Sequence, residues 1–222
     1  MHFDLRKLDR GSRYKIIGSC VIPRPIAWVT TRSPEGVLNA SPFSFFNALG
    51  DDPPVVVVGM VAHHEKRLKD TPENIRRTGE FVINLVDETH AEAMNLTSID
   101  APTGIEETAL AGLELAESTE VSPPRIATAP VSFECRTMHF IETGPHQVAV
   151  IGEVLHAHVQ DRFVTDAERI RLDVTAMQLI ARLHGAGWYG RQTDMFDLRR
   201  PSWKAWTEER EGPPPDVADK AG

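Results

Sequence analysis

Between Arg24 and Met60 the chain reads RPIAWVTTRSPEGVLNASPFSFFNALGDDPPVVVVGM, and this stretch restricts the fold more than any other. Residues 26–31 are rich in β-branched and aromatic side chains, Ser33-Pro34-Glu35-Gly36 has turn chemistry, and a second strand begins at Val37, so the segment reads as a β-hairpin. Asn39, Ala40, Ser41 and Pro42 stand where that second strand ends, and Phe43, Ser44, Phe45, Phe46 and Asn47 follow at once. A loop so dense in small polar residues and aromatics can hold a flat aromatic ligand.

The remaining chain supplies more strands than helices. After Asp51-Asp52-Pro53-Pro54 the run 55–58 is four valines, which predicts a central strand buried on both faces. Residues 12–17 read as a short helix or turn stopped by Pro23-Arg24-Pro25. Residues 66–78 read as a helix with Thr71 as N-cap, Pro72 at the first helical position and Gly79 as the stop. Strand is expected again over 81–86, helix over 89–96, and an irregular excursion over 101–112. Residues 131–141 and 147–159 read as long strands joined by a turn at Thr143-Gly144-Pro145-His146. A helical turn over 165–172 and an apolar helix over 174–180 complete the expected elements. Strands joined mostly by turns predict a mainly β fold with peripheral α helices, a closed or split antiparallel β-barrel. One domain is expected over 1–206, with 207–222, which includes three consecutive prolines, as a disordered tail.

Bulk properties narrow the partners. A formal charge of −8 over 222 residues disfavours nucleic acid or an anionic membrane as the main partner. It leaves an anionic ligand open, because local cations act within a Debye length of ~8 Å. The N-terminal residues lack the apolar core of a secretory signal, and no apolar run approaches the ~20 residues of a membrane span, so a cytoplasmic protein is expected. Cys20 and Cys135 form neither a disulfide framework nor a paired zinc motif. Among the nine histidines, His63 and His64 are adjacent and would point apart on a strand. His156 and His158 share a face without a third ligand at suitable spacing, so no metal site is expected.

Three phrases together resemble a known family: Arg24-Pro25-Ile26-Ala27-Trp28-Val29-Thr30-Thr31, then Asn39-Ala40-Ser41-Pro42-Phe43-Ser44-Phe45-Phe46-Asn47, then Lys69-Asp70-Thr71 with Asn74-Ile75. In this order, over residues 14–201, the chain is similar to the flavin reductase-like proteins with an FMN-binding split barrel, flavoredoxin-like domains among them. The resemblance implies bound FMN, with FAD possible, and NADH or NADPH as hydride donor. It also implies a homodimer, with a flavin-dependent monooxygenase or another electron acceptor as a possible partner. The activity it implies is NAD(P)H:flavin reduction. The alternatives are an FMN-dependent oxidoreductase or oxygenase acting on its own small organic substrate, and a flavin-binding electron carrier without turnover.

An FMN site must neutralise a phosphate, hold an apolar tricyclic ring and place donors along the ring edge. Lys69, Asp70 and Thr71 at a helix start suit the phosphate, with Arg67 able to assist, because first-turn N–H groups are unpaired and the helix dipole favours an anion. Asn39, Ala40, Ser41 and Pro42 suit the ring edge, where small residues admit backbone donors and Asn39 and Ser41 add side-chain ones. These donors stabilise charge that collects when flavin accepts hydride. By resemblance, Thr30 and Thr31 contact the ribityl chain or ring edge, Arg24 meets phosphate or buttresses the loop, and Tyr189 covers a ring face. His184 stands where the family more often has glycine; it is the one proton-donor candidate, against an ordinary structural role for a lone histidine. No glycine-rich dinucleotide fingerprint opens a strand-to-helix turn, so a nicotinamide is expected to bind against the flavin.

Overall fold

The computed structural model describes residues 1–61, 68–102 and 104–208. Helix α1 (Arg10–Cys20) is capped by Asp9, whose carboxylate accepts from the Ser12 N–H at 3.1 Å. The chain then lays down β1 (Arg24–Pro25), β2 (Ala27–Arg32), β3 (Leu38–Phe43), β4 (Phe45–Asp51) and β5 (Pro54–Val61). Helix α2 (Asp70–Thr78) and β6 (Glu80–Asn84) follow, then α3 (Ala91–Leu96), α4 (Glu107–Leu110), β7 (Leu115–Ala116) and β8 (Arg125–Ile126). The long β9 (Val131–Gly144) and β10 (Gln147–Val159) precede β11 (Val164–Asp166), β12 (Arg171–Leu172), β13 (Ile180–Arg182), β14 (Tyr189–Arg191) and α5 (Trp203–Glu208).

The main sheet has seven strands in the order β3-β2-β6-β9-β10-β5-β4, and among the described residues each neighbouring pair within it is antiparallel. Its two outer strands, β3 and β4, are consecutive in the chain, with Ser44 alone between Phe43 and Phe45. Two residues span at most ~7 Å, so the far edges of the sheet are tethered together and the sheet must curl. The result is a split barrel: edges brought side by side at one corner without a ladder joining them. The expected mainly β class with peripheral helices is what the structure has.

Strand alternation sorts the core. Ala27, Val29, Phe43, Val58, Phe81, Ile83, Cys135 and Val150 form the apolar interior, closed at one end by Ile75 of α2. Phe81 of β6 reaches over β9 to Gly152 of β10, where an added Cβ would lie 2.6 Å from its ring; the glycine is required by that approach. Trp28 points the other way, into a second layer with Met94 of α3, Ile126 and Ile180, and its indole N–H donates to Thr97 at 2.9 Å. Asn84 joins the layers: its amide donates to the Trp28 carbonyl at 3.0 Å and accepts from the Ile126 N–H at 2.9 Å and Ser132 at 2.8 Å.

Several elements differ from the sequence expectation. The valine run lies in β5, next to the edge rather than at the centre, and alternates: Val56 and Val58 face the interior while Val55 and Val57 are half-covered. A barrel strand has one interior face, so β-branched residues there serve strand propensity as much as burial. Residues 165–172 form the β11–β12 hairpin, because Asp166 accepts from the Arg169 N–H at 3.0 Å and Ile170 takes a positive φ of 51°. The apolar helix expected over 174–180 is a set of turns: Asp173 accepts from the Ala176 N–H at 2.9 Å, and Ile180 leaves to begin β13. Helix α2 starts at Asp70 with Lys69 at its N-cap, which puts Thr71 and Pro72 two positions further into the helix than expected, while Gly79 ends it in the left-handed region at φ 75° as expected.

A buried carboxylate fastens the outer layer. Glu134 accepts from the backbone N–H groups of Thr119 at 2.7 Å and Glu120 at 2.6 Å, and lies 2.5 Å from His158 Nε2. Burial alone raises its pKa, but the Thr119 N–H, His158 and the Glu120 N–H outweigh burial and hold it below the ordinary value of 4.5. A depressed folded pKa means stability that is fully present above the unfolded value and lost as pH falls through the folded one. Glu134→Gln is therefore expected to cost roughly 1.5–3 kcal/mol at neutral pH and to flatten the loss of stability below about pH 5. Urea unfolding of both proteins across acid pH checks this; parallel pH profiles would remove Glu134 from the account.

Candidate functional site

The corner where β3 meets β4 opens into a cavity of about 180 Å³. Its walls are Ser41, Pro42, Phe43, Ser44 and Phe45 from the corner itself, Gly59 and Val61 from β5, Tyr14 from α1, Ser98, and Lys69 at the start of α2. The volume is below the ~300–1,000 Å³ typical of ligand pockets, so a ligand of drug size is held by part of its body. Aromatic edges dominate one side, with the Tyr14 and Phe45 rings 6.2 Å apart. Gly59 allows the close approach of Phe45, since a Cβ would stand 3.0 Å from that of Phe45 on the paired strand and would push it aside by a few tenths of an ångström.

Arg24 braces the corner. It is buried, and its guanidinium donates to the carbonyls of Gly18 at 2.5 Å, Val21 at 2.8 Å and Leu183 at 2.7 Å. The same group lies 3.5 Å from the Ser44 hydroxyl and 5.9 Å from the Phe45 ring centre. Of the two roles expected for Arg24, the geometry has it buttressing the loop: its donors are spent on the end of α1 and the turn after β13.

Behind the cavity lies a buried polar layer. Asn39 Oδ1 accepts from the Thr71 hydroxyl at 2.5 Å, and its Nδ2 donates to Glu107 Oε2 at 2.9 Å. Thr31 Oγ1 lies 3.4 Å from the same Asn39 oxygen and accepts from Asn74 Nδ2 at 3.1 Å. Burial pushes the Glu107 carboxyl up; the N–H of Glu107, the Asn39 amide and the Ala40 N–H oppose that, and Asp70 adds to the rise. The net direction is up.

At the mouth, α2 begins with a lysine at N-cap and no side-chain cap bond. Ser, Thr, Asp or Asn ordinarily satisfies one of the first-turn N–H groups, so this helix forgoes a device that would compete with an anion. Lys69 also lines the cavity, so the same residue brings a cation to the cavity and to the start of α2. A cavity with an aromatic side, three serines, a closely packed glycine and a lysine at a helix start suits, in its chemistry, a flat ring that carries an anionic group.

The candidate residues separate into groups. Ser41, Pro42 and Lys69 line the cavity, whereas Asn39, Thr31 and Thr71 stand in the layer behind it with their side chains engaged. Ala40 is fully buried between them, and Asp70 opens α2. Thr30 points to the opposite face from Thr31 and donates to the Pro124 carbonyl at 2.6 Å, so the pair is not brought together. His184 is exposed and stacked on Trp188 at 6.1 Å, and Tyr189 lies under Arg182 at 4.8 Å in β14; neither lines the cavity. Arg67, like His63 and His64, lies outside the described residues. Tyr14, Gly59, Ser98 and Glu107 are additions that the sequence did not mark. The Phe43-Ser44-Phe45 run was a signal for the corner, but no local pattern marks Glu107, which meets Asn39 across 68 positions.

Fold and site together define a flavin-binding split barrel of the oxidoreductase type. The family model described as flavin reductase like domain matches residues 18–169, and the chain belongs to that family. An uncharacterized protein of Deinococcus radiodurans is 38% identical over 212 residues, covering 94% of this chain and 93% of its own. Among solved structures, 2-nitrobenzoate 2-nitroreductase NbaA of Pseudomonas fluorescens is 36% identical, with TM-score 0.82, over 91% of this chain and 98% of that one. Nitrilotriacetate monooxygenase component B of Bacillus cereus is 32% identical, with TM-score 0.83, over 89% and 98%. The flavoredoxin of Desulfovibrio vulgaris (Miyazaki F), at 18% identity, TM-score 0.70 and coverage of 90% and 99%, shares the fold.

Arg24→Lys replaces a planar fork by a single point charge that cannot serve three carbonyls and Phe45 together. A loss of about 2–3 kcal/mol in urea unfolding is expected. Unchanged stability would show that the corner does not depend on this brace.

Proposed function

We propose that the protein is an NAD(P)H-dependent flavin reductase that binds FMN at the β3–β4 corner. The observation that carries this reading is the juxtaposition of Lys69 and the uncapped start of α2 with the Ser41–Phe45 wall. Family membership supports a bound flavin, and the lining of the corner supports this position for it.

When bound, FMN supplies a hydride acceptor. The chain's own part is binding, orientation and electrostatics. Lys69 and the first-turn N–H groups of α2 hold the phosphate, Phe43 and Phe45 exclude water from the apolar ring, and Ser41 and Ser44 offer hydroxyl donors along its edge. Hydride transfer needs no side-chain acid or base, so donors and positioning are chemically sufficient. His184, exposed beside Trp188, is not given a role.

The similarity to nitrilotriacetate monooxygenase component B supports a partner that consumes the electrons, such as a flavin-dependent monooxygenase. Pairing as a homodimer belongs to the same reading; Met195, Phe196 and Leu198 are 60%, 86% and 84% exposed, a run of apolar surface that a second copy can bury. A second reading is favoured by the 36% identity to a nitroreductase: a retained flavin that reduces a small aromatic substrate.

The test is a visible spectrum of the purified protein, followed by anaerobic titration with NADH and NADPH and by turnover with free FMN. Bleaching by one nicotinamide and steady consumption with free FMN are expected. Tight flavin retention with slow consumption would favour the second reading, and a colourless protein indifferent to FMN and FAD would overturn both. Lys69→Ala is expected to weaken FMN binding by about 1–3 kcal/mol, the range of a charge-assisted hydrogen bond. Unchanged affinity in a fluorescence titration would remove Lys69 from the site.

A further inference from the structure

The geometry points to Glu107 as a positioning residue that, through the Asn39 amide, sets whether the Thr71 hydroxyl donates inward or toward an anion at the start of α2. This rests on the flavin reading above and adds a proton linkage to it. Three side chains from α4, β3 and α2 stand in series: Glu107 Oε2 to Asn39 Nδ2 at 2.9 Å, then Asn39 Oδ1 to Thr71 Oγ1 at 2.5 Å. All three are buried.

The polarity of such a series is fixed by its first member. An ionised carboxylate only accepts, so the NH2 end of Asn39 must face Glu107 and the carbonyl end must face Thr71. A hydroxyl has one proton, and Thr71 spends it on Asn39. A phosphate only accepts as well, so Thr71 in this state offers it lone pairs. When Glu107 is protonated the order can reverse: its O–H donates to Asn39 Oδ1 after the amide turns over, Nδ2 donates to Thr71 and Thr31, and both hydroxyl protons that Oδ1 had accepted turn elsewhere, that of Thr71 being the one at the start of α2. One proton taken up at Glu107 becomes one donor beside the first turn of α2, and no bond other than hydrogen bonds changes.

The surroundings favour that exchange. Asp70 is the charged group facing Glu107 from α2, with Lys69 next to it in the chain; Asn39 and Ala40 of β3 are neutral. The neighbouring Glu106 is engaged with the Leu38 N–H at 3.0 Å. Thr31 and Asn74, both neutral, continue the network from Asn39. Burial already moves Glu107 toward its protonated form. A phosphate dianion at α2 adds negative charge nearby and moves it further, so phosphate binding and proton uptake are linked reciprocally.

Calorimetric titration with FMN and with riboflavin, in buffers of different ionisation enthalpy at about pH 6.5, tests the relay. Near the second phosphate pKa of ~6, binding FMN as its dianion by itself releases protons, so the phosphate's own contribution has the opposite sign. The expected result is net proton uptake with FMN and none with riboflavin. Between about pH 8 and 6 the affinity ratio of FMN to riboflavin should rise in the native protein relative to Glu107→Gln, by up to about tenfold per pH unit. Zero uptake or net release with FMN overturns the relay, as does an identical pH profile in Glu107→Gln. Riboflavin binding by that variant checks its pocket, and the sign measurement on the native protein stands without it. If neither flavin binds, it is the flavin reading that has failed, and the relay falls with it.

Discussion

Everything in this molecule follows from a one-residue link. Ser44 alone separates the strands that form the two outer edges of a seven-stranded sheet, so the sheet has to curl until those edges meet. Exposed edges are a liability in a β protein, and closing the sheet removes most of it. The closure is incomplete at the link itself, because a chain turning from one edge directly into the other cannot also lay the two strands side by side. The cavity at that corner is the geometric remainder of the closure. Arg24 holds the corner from behind, and Gly59 admits Phe45 from the front.

Charge and polarity are distributed around this corner in two layers. On the outer side Lys69, the N-cap of α2, lines the cavity and puts a cation there, at the helix end whose dipole favours an anion. The inner layer of Asn39, Thr31, Thr71, Asn74 and Glu107 is buried and bonded to itself. Buried polar groups are tolerated only when partnered, and here partnering also fixes which way each donor points. The helix α2 belongs to both layers, which is why its placement against β2 and β3 matters more to the site than its length.

Much of the strand frame was legible because it is local. The Ser33 to Gly36 turn, the left-handed Gly79 and the long hairpin of β9 and β10 follow from residues within a few positions of one another. The helical turn expected over 165–172 and the apolar helix expected over 174–180 do not form, because Asp166 and Asp173 instead accept from nearby N–H groups and turn the chain. The family resemblance found the neighbourhood of the site but not its layering. Thr30 and Thr31 are adjacent on a strand and must face opposite ways, so alternation alone separates them. Glu107 and Tyr14 reach the corner from distant segments, and no periodicity in one sequence encodes such a meeting.

The central claim is that flavin lies at the β3–β4 corner with its phosphoryl end at the start of α2. A crystal structure of the protein with FMN measures this most directly. The account predicts density for the ring against the wall between Ser41 and Phe45 and for the phosphate beside Lys69. FMN bound elsewhere, with this corner left to solvent, would contradict it.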